Sequence, residues 1–388
     1  MDQLYIDNTM PQKALGAAPA DLLRESLEKV VTTNPPQDKY DPETCIGLLA
    51  GPTGVAYSLL CLSARHPDLR INGHDLLHWA KRYTEGDRGT LVLEDGCCGI
   101  VAEVLALDAV RACVTKDRRY VTDLLAHMPR LLEPASGEGV DKFPAEMIYG
   151  RAGMLYMLRA VRHWVPDCAD LLEEPVKQLA RRILDKDDDG KGHWLWNGAR
   201  YFGAPHGDIG TLAQIILCVP SLAPELTGLL EELLALQNSE GNWVHTAKAL
   251  DAGEAAVRVQ YCHGAPGYVF ALQSLRPHYP EFAGRFDKAI EKGREVTWAK
   301  GILKKEPSLC HGVLGNALSL EKGSRRSHFL ALATPDAVAE TRARDATLFK
   351  PANYGLENSA LLGYWPSAAW AWSVCEDEEP RMLLFNDI

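Results

Sequence analysis

The stretch Gly207-Asp-Ile-Gly210, followed by Thr-Leu-Ala-Gln-Ile-Ile-Leu-Cys-Val (211–219), joins a pair of glycines to an apolar, helix-like run. The same arrangement occurs six times in the chain of 388 residues, and successive first glycines are 45, 54, 57, 57 and 48 residues apart. One Gly-x-x-Gly would be weak evidence, but six at nearly even spacing indicate a repeated structural unit. The six pairs are Gly51-Pro-Thr-Gly54, Gly96-Cys-Cys-Gly99, Gly150-Arg-Ala-Gly153, Gly207-Asp-Ile-Gly210, Gly264-Ala-Pro-Gly267 and Gly312-Val-Leu-Gly315.

The runs after the glycine pairs carry few charges, and helices that are apolar nearly all round are buried. Between them lie amphipathic stretches with one charged face, which are typical of outer helices with one solvated side. These stretches cover residues 21–31, 73–83, 171–185, 224–237 and 286–299. The sequence has no sustained alternation of apolar and polar residues, so strands are not predicted. Each unit is therefore predicted to be a helical hairpin with a buried inner helix and an exposed outer helix.

A series of hairpins can form an open solenoid or a closed ring. The inner helices look buried on all sides, which favours closure, and we predict an all-α fold, an α/α toroid of about seven inner and seven outer helices. Length alone would suggest two or three domains. The repeat instead predicts a single toroid domain over residues 1–388, with residues 1–20 a candidate for disorder.

The glycine pairs place the loops of the repeats close together at one end of the ring. This arrangement also directs several helix N-termini towards one region, which suits a thiolate or a carboxylate. The simpler interpretation, sufficient for most of the glycines, is that they only permit tight packing.

Composition excludes several classes of function. The chain has 41 Lys and Arg against 52 Asp and Glu, a net charge of -11, so the basic surface that nucleic acid binding needs is missing. Residues 1–20 lack the features of a signal peptide, and no apolar run is long enough for a transmembrane helix. With no sign of export, the ten cysteines are expected to be reduced, mostly packed thiols of a cytoplasmic protein.

Two repeat loops contain the same tripeptide, Cys262-His263-Gly264 and Cys310-His311-Gly312. If the loops converge, two thiolates and an imidazole form a strong Zn²⁺ site, with a fourth position left for water or substrate. Cys262, Cys310 and His311 are the predicted ligands. A lone cysteine on an apolar face is more often a buried hydrophobic residue, but repetition at equivalent positions favours metal binding. His206, at the corresponding place in Pro205-His206-Gly207, is either a structural histidine or an acid/base group.

These segments resemble the LanC-like proteins, the eukaryotic relatives of bacterial lanthionine cyclases. The resemblance runs from about Gly51 to about Asn316. It includes Gln260-Tyr-Cys262-His-Gly-Ala-Pro-Gly267, in which the string from Cys262 onwards is highly specific. The other matching segments are Ala145-Glu-Met-Ile-Tyr-Gly150-Arg-Ala-Gly153, Gly203-Ala-Pro-His206-Gly-Asp-Ile-Gly210, Gly301-Ile-Leu-Lys-Lys305 and Cys310-His-Gly-Val-Leu-Gly315-Asn. The fold of that family is a toroid of seven inner and seven outer helices, and its zinc ligands correspond to Cys262, Cys310 and His311.

The resemblance implies addition of a thiol, from glutathione or a peptide cysteine, to dehydroalanine or dehydrobutyrine, which gives a thioether. Zinc would activate the thiol, and His206 is the candidate catalytic residue for the proton that the product gains. Lys305 matches a position near the glutathione site of the family. Glu146 and Arg151, at a neighbouring loop, are further candidates for substrate binding.

The seventh repeat departs from the family pattern. Where the family has a Glu-Gly-x-x-Gly loop, Glu357 is kept but Asn358 and Leu361 replace the glycines, and Gly363-Tyr-Trp365-Pro follows. An altered turn is therefore expected where the ring closes.

Two other functions remain open from the sequence. One is a non-catalytic, zinc-containing regulatory protein that binds glutathione or a peptide. The other is a zinc prenyltransferase subunit, although its ligand set normally includes a carboxylate. The retained ligands, the open coordination position and His206 favour the enzyme.

Overall fold

The computed structural model describes residues 3–134, 141–351 and 356–388. Met1 and Asp2 of the predicted N-terminal segment lie outside the described residues. The seventeen α-helices in this part of the chain are α1 (Pro19–Thr33), α2 (Pro52–Arg65), α3 (Leu76–Thr84), α4 (Glu103–Thr115), α5 (Arg118–Ala126), α6 (Met128–Leu131), α7 (Arg151–Trp164), α8 (Ala169–Leu184), α9 (Asp208–Cys218), α10 (Ala223–Ala235), α11 (Ala247–Asp251), α12 (Ala265–Leu275), α13 (Ala283–Lys300), α14 (Val313–Ser319), α15 (Ser324–Leu332), α16 (Pro335–Arg344) and α17 (Tyr364–Val374). Two short antiparallel strands, β1 (Arg70–Ile71) and β2 (His74–Asp75), precede α3.

Seven helices form a closed inner ring in the order α2, α4, α7, α9, α12, α14 and α17, and α17 packs back against α2. Each inner helix has an outer partner, respectively α3, α5, α8, α10, α13, α15 and α1. The predicted α/α toroid of seven inner and seven outer helices is therefore confirmed. No helix of the described ranges is both long enough and apolar enough to cross a membrane.

The two layers follow the burial expected from their sequences. Ten of the eleven residues of α9 are buried, as befits an inner helix surrounded by protein. Helix α8 instead buries one stripe, Leu172, Val176, Leu179, Ala180 and Ile183, and leaves its charged face in solvent.

Seven loops of seven residues lead into the inner helices and meet at one end of the ring. We number them 1 to 7: residues 45–51, 96–102, 144–150, 201–207, 258–264, 306–312 and 357–363. Backbone hydrogen bonds join neighbours, from N–H to C=O: Leu48 to Ile100 (2.7 Å), Ile100 to Met147 (3.1 Å), Met147 to Pro205 (2.9 Å), Cys262 to Cys310 (3.3 Å) and Cys310 to Leu361 (2.9 Å). The Ser359 hydroxyl of loop 7 donates to the Leu49 carbonyl of loop 1, 2.5 Å away, and so closes the circle.

The second glycine of five pairs lies against the carbonyl oxygen of the residue six positions earlier. A Cβ atom would lie 2.3 Å from that oxygen at Gly54, 2.0 Å at Gly153, 1.5 Å at Gly210, 2.2 Å at Gly267 and 1.8 Å at Gly315. No side chain fits at such distances, so close packing is a sufficient reason for these glycines.

Loops 2 and 7 differ from this pattern. The pair Gly96–Gly99 does not begin a helix as the repeat predicted, because α4 starts after Ala102. In loop 7, Gly363 is the residue before α17 and Pro366 stands where other inner helices have their second glycine. The altered turn is thus a shift of the glycine position, and the ring still closes through Leu361 and Ser359.

The C-terminal segment fills the middle of the ring, which the sequence reasoning did not foresee. Met382, Leu383, Leu384 and Phe385 are almost fully buried. The Phe385 carbonyl accepts hydrogen bonds from Arg159 Nη2 (2.6 Å) and Gln214 Nε2 (3.0 Å). The Asp387 carboxylate accepts from the hydroxyls of Tyr156 and Tyr57, and burial raises its pKa.

The N-terminal segment runs along the outside of the same body. The Ile6 N–H donates to the Ile302 carbonyl (2.7 Å), and the Lys304 N–H donates to the Leu4 carbonyl (3.1 Å). Further along, the Leu15 N–H donates to the Ser327 hydroxyl (2.8 Å). Residues 3–15 are thereby joined to the segment that leads into loop 6 and to α15.

The close contact at Gly210 can be tested by thermal or chemical unfolding. We expect Gly210→Ala to lower the free energy of unfolding by about 2 kcal/mol or more, because its Cβ would overlap the Ala204 carbonyl. Gly228→Ala is the matched control, since Gly228 is exposed in α10 with nothing within 4 Å of its added Cβ. The free energy of unfolding of that control should rise by up to about 1 kcal/mol, because alanine has a higher helix propensity than glycine. Equal stability of the two variants would contradict the proposed role of the second glycines.

Candidate metal and proton-transfer site

Loops 5 and 6 bring Cys262, Cys310 and His311 together. The Sγ atoms and one imidazole nitrogen lie within 4.8 Å of one another, although 48 residues separate the two cysteines. The hydrogen bond from the Cys262 N–H to the Cys310 carbonyl, 3.3 Å long, sets the two loops side by side. Within the described ranges this is the one group of three or more His, Cys, Asp or Glu side chains that could hold a metal ion.

The donor set fits a tetrahedral, sulfur-rich ion. Zn–S bonds of about 2.3 Å and Zn–N bonds of about 2.0 Å place ligand atoms roughly 3.5–3.8 Å apart, so small side-chain movements would suffice. Cys262, Cys310 and His311 are 8, 9 and 7% exposed, which leaves a narrow access for a further ligand. Three protein ligands leave one tetrahedral position open.

A hydrogen bond between the two thiols shifts their pKa values in opposite directions. The hydrogen bond from Cys310 lowers the pKa of Cys262 well below its usual value, and the His263 and His311 side chains add to this effect. The same hydrogen bond raises the pKa of Cys310, and the charge of Lys305 opposes that shift. The pair therefore holds one thiolate readily, and a bound cation would be needed to hold the second.

His206 lies in loop 4 and pairs with Glu146 in loop 3. Its Nδ1–H donates to Glu146 Oε2, 2.8 Å away, while the ring remains partly exposed. Nε2 is then the nitrogen available to a substrate. The Trp196 ring stacks on the imidazole with centroids 3.9 Å apart and planes 15° from parallel, which fixes the ring plane as well as the tautomer.

Glu146 and Arg151, the residues predicted to contact substrate, both have partners within the protein. The Glu146 carboxylate is buried and also accepts from the N–H groups of Ile148 (2.8 Å) and Tyr149 (2.5 Å). The Arg151 guanidinium is fully buried and binds the Asp141 carboxylate (2.9 Å) together with two backbone carbonyls. Their contact with substrate stays a prediction.

Lys305 is exposed at the rim of the metal cluster. Its backbone pairs with Lys350, and its charge acts on Cys310 and on His263. Arg258, at the start of loop 5, is half-buried and also acts on His263, whose pKa is lowered mainly by burial and further by the nearby His206, Arg258 and Lys305. Two cationic side chains therefore lie near the cluster.

Sequence reasoning missed Gln260, Arg258 and Trp196. Gln260 Nε2 donates to Cys262 Sγ at 3.0 Å, and the side chain is 5% exposed. The signal available for Gln260 was its place two residues before a predicted ligand. For Trp196 it was the Asn197-Gly198 dipeptide, whose positive φ angles (49° and 72°) make a two-residue turn between Trp196 and Ala199.

The cluster predicts one metal ion per chain. After loading with Zn²⁺ and gel filtration, we expect about one equivalent of zinc in the wild-type protein and little in Cys310→Ala and His311→Ala, because two remaining ligands bind weakly. Metal content is measured by inductively coupled plasma mass spectrometry. Cys97→Ala, a half-exposed cysteine outside the cluster, is the matched control and should keep its zinc. Full zinc content in both ligand variants would rule out this site.

The Gln260 contact predicts a weaker site when the donor is lost. Gln260→Leu should lower the affinity for Zn²⁺ about 10-fold or more, since hydrogen bonds to ligand atoms orient them and stabilise their charge. Competition with a chromogenic chelator measures this affinity. Gln273→Leu, a half-buried glutamine of α12 outside the cluster, should leave it unchanged.

Comparisons with known proteins identify the family and support the fold. The family model described as lanthionine synthetase C-like protein matches residues 18–327. A curated relative from Danio rerio, glutathione S-transferase LANCL1, is 29% identical over 205 residues, which are 48% of this chain and 48% of the relative. The chain thus aligns with about half the length of that relative. Among solved structures, nisin cyclase superposes with a TM-score of 0.54 at 14% identity, covering 93% of this chain and 94% of its own, which supports the toroid fold. The family match spans well over half of the sequence, and the chain belongs to the lanthionine synthetase C-like family.

Proposed function

We propose that this protein is a zinc-dependent enzyme that adds a thiol, from glutathione or a peptide cysteine, to dehydroalanine or dehydrobutyrine and forms a thioether. The observation that carries the proposal is the convergence of two separate groups on neighbouring loops. Loops 5 and 6 supply two sulfurs and an imidazole within 4.8 Å, and loops 3 and 4 supply the Glu146–His206 pair. A thiol addition needs both functions, an activated sulfur and a proton for the product.

Cys262, Cys310 and His311 would hold the zinc ion. A bound Zn²⁺ supplies a Lewis acid that lowers the pKa of a thiol taking the open position, so a thiolate nucleophile exists at neutral pH. Gln260 stabilises the charge of the Cys262 sulfur through its 3.0 Å hydrogen bond. Near-complete burial of the ligands excludes bulk water from the protein side of the site.

His206 would supply the proton that the product gains. Attack of sulfur on the β-carbon forms an S–C bond, breaks the C=C π bond and moves an electron pair to the α-carbon, which then takes a proton. His206 Nε2 is suited to donate it, because Nδ1 is engaged by Glu146. Glu146 is a positioning residue here: its hydrogen bond to Nδ1 fixes the orientation and the tautomer of the ring.

The two cationic side chains near the cluster favour an anionic thiol. Lys305 and Arg258 are placed to attract the carboxylates of glutathione, and the name of the Danio rerio relative, a glutathione S-transferase, supports this choice. Ten free cysteines suit a reducing compartment, so the proposal includes a cytoplasmic location.

The test is to incubate zinc-loaded protein with glutathione and a dehydroalanine peptide and to follow the peptide by mass spectrometry. We expect a mass gain of one glutathione, abolished in Cys310→Ala, and lowered about 100-fold or more in rate in His206→Ala and less in Glu146→Gln. Cys97→Ala is again the control and should react normally. If the protein binds zinc and glutathione but forms no adduct, the enzyme hypothesis is contradicted. That result would support the alternative, a zinc-containing regulatory protein that binds glutathione or a peptide.

A further inference from the structure

Two aromatic rings, Tyr149 and Trp196, extend the site beyond His206. The planes of Tyr149, Trp196 and His206 lie within 15–18° of parallel, with centroid separations of 3.9 Å for Trp196–His206, 6.0 Å for Tyr149–Trp196 and 6.5 Å for Tyr149–His206. The Tyr149 side chain is 39% exposed, one of few large aromatic or aliphatic side chains left in solvent, and Trp196 is half-buried. The rings therefore present an accessible face beside the proton-transfer pair.

The same rings lead back to the metal cluster. Trp196 contacts the Tyr201 ring at 5.4 Å, and Tyr201 contacts the His263 ring at 6.0 Å. His263 directly follows the predicted ligand Cys262 in loop 5. We call Tyr149, Trp196 and Tyr201 the aromatic strip. It runs from loop 3 to loop 4, where Tyr201 contacts His263 of loop 5, and His206 lies within its length.

Two chemically different groups of residues lie near His263. Lys305 and Arg258 supply positive charge, whereas the aromatic strip supplies flat, weakly polar surface. An anionic thiol is suited to the cations. The second reactant, a dehydroamino acid residue, is uncharged, planar and conjugated with its amide groups, which suits stacking on parallel rings. On the strip its α-carbon would also lie beside His206.

We propose that the aromatic strip is the binding site for the acceptor, a dehydroamino acid residue within a peptide, and that Trp196 and Tyr149 determine its affinity. This inference rests on the proposed function. During addition, sulfur bonds to the β-carbon, the π electrons move to the α-carbon, and the α-carbon takes the proton of the His206 imidazolium. The proton lost by the thiol returns to the imidazole through solvent, so thiol and alkene give thioether with no other reactant.

Steady-state kinetics test this assignment. Each substrate is varied in turn while the other is kept at a saturating concentration. Loss of a stacked ring should raise the KM for the dehydroalanine peptide about 3- to 10-fold in both Trp196→Ala and Tyr149→Ala, and leave the KM for glutathione within about twofold. Tyr149→Ala is informative because Tyr149 is 6.5 Å from the His206 ring and its loss leaves the Trp196–His206 stack in place. Tyr149→Phe keeps the ring and should restore the wild-type KM.

Trp79→Ala is the control for loss of a half-buried tryptophan, because Trp79 lies on the outer helix α3 and should affect neither KM. An unchanged KM for the peptide in both strip variants, or a raised KM for glutathione alone, would overturn the assignment. Binding of the dehydroalanine peptide without glutathione, measured by calorimetry, separates the two proposals. If no variant or wild-type protein forms adduct, the proposed function fails, whereas weaker peptide binding in the strip variants would still support the strip as a peptide site.

Discussion

The toroid depends on backbone contact between neighbouring loops at one end of the inner ring. Loops 1, 2, 3, 5 and 6 each donate an N–H to the next loop, and loop 7 donates the Ser359 hydroxyl to loop 1. Loop 4 instead meets loop 5 at Gly203, whose Cβ would be 2.1 Å from the Cys262 carbonyl. No side chain fits there, so Gly203 is a geometric condition for closure. Because Cys262 and Cys310 themselves take part in this circle, the backbone that closes the ring also sets the separation of the two sulfurs.

The opposite half of the ring depends on the chain's own C-terminus. Inner helices carry polar side chains at positions that face the ring centre, among them Arg159 and Gln214. Buried without partners, such groups would cost several kcal/mol. The Phe385 carbonyl accepts one hydrogen bond from each of them, and the Asp387 carboxyl group lies near Arg159. The C-terminal segment is therefore part of the core, and it leaves the loop end as the side on which chemistry can occur.

The repeat of glycine pairs was enough to predict the ring, the two layers and the convergence of loops. That convergence in turn predicted that Cys262, Cys310 and His311 would meet, as they do. The sequence could not show where a pair fails to begin a helix, as at Gly96–Gly99, because the repeat fixes spacing and not the first helical residue. Nor could it show that the charge of Arg151 is paired inside the protein, because its partner Asp141 lies ten residues away and outside any motif.

The residues that surround the ligands were hidden for a different physical reason. Gln260 and Trp196 act through side-chain geometry, a hydrogen bond in one case and ring stacking in the other, and neither leaves a periodic trace in the sequence. The hairpin turn at Asn197-Gly198 was visible, but not the direction in which it presents Trp196.

The order of the loops around the ring explains why the candidate zinc ligands and the Glu146–His206 pair are neighbours. Glu146 and His206 come from loops 3 and 4, which the Met147–Pro205 hydrogen bond joins, and the cysteines come from loops 5 and 6. The contact of Gly203 with Cys262 connects the two pairs, so four consecutive loops form one continuous surface. Had the histidine occupied loop 2 instead, the same residue types would lie on separate arcs of the ring. The repeat therefore supplies equivalent loop positions. Because particular repeats are neighbours in the ring, the side chains at those positions lie close together.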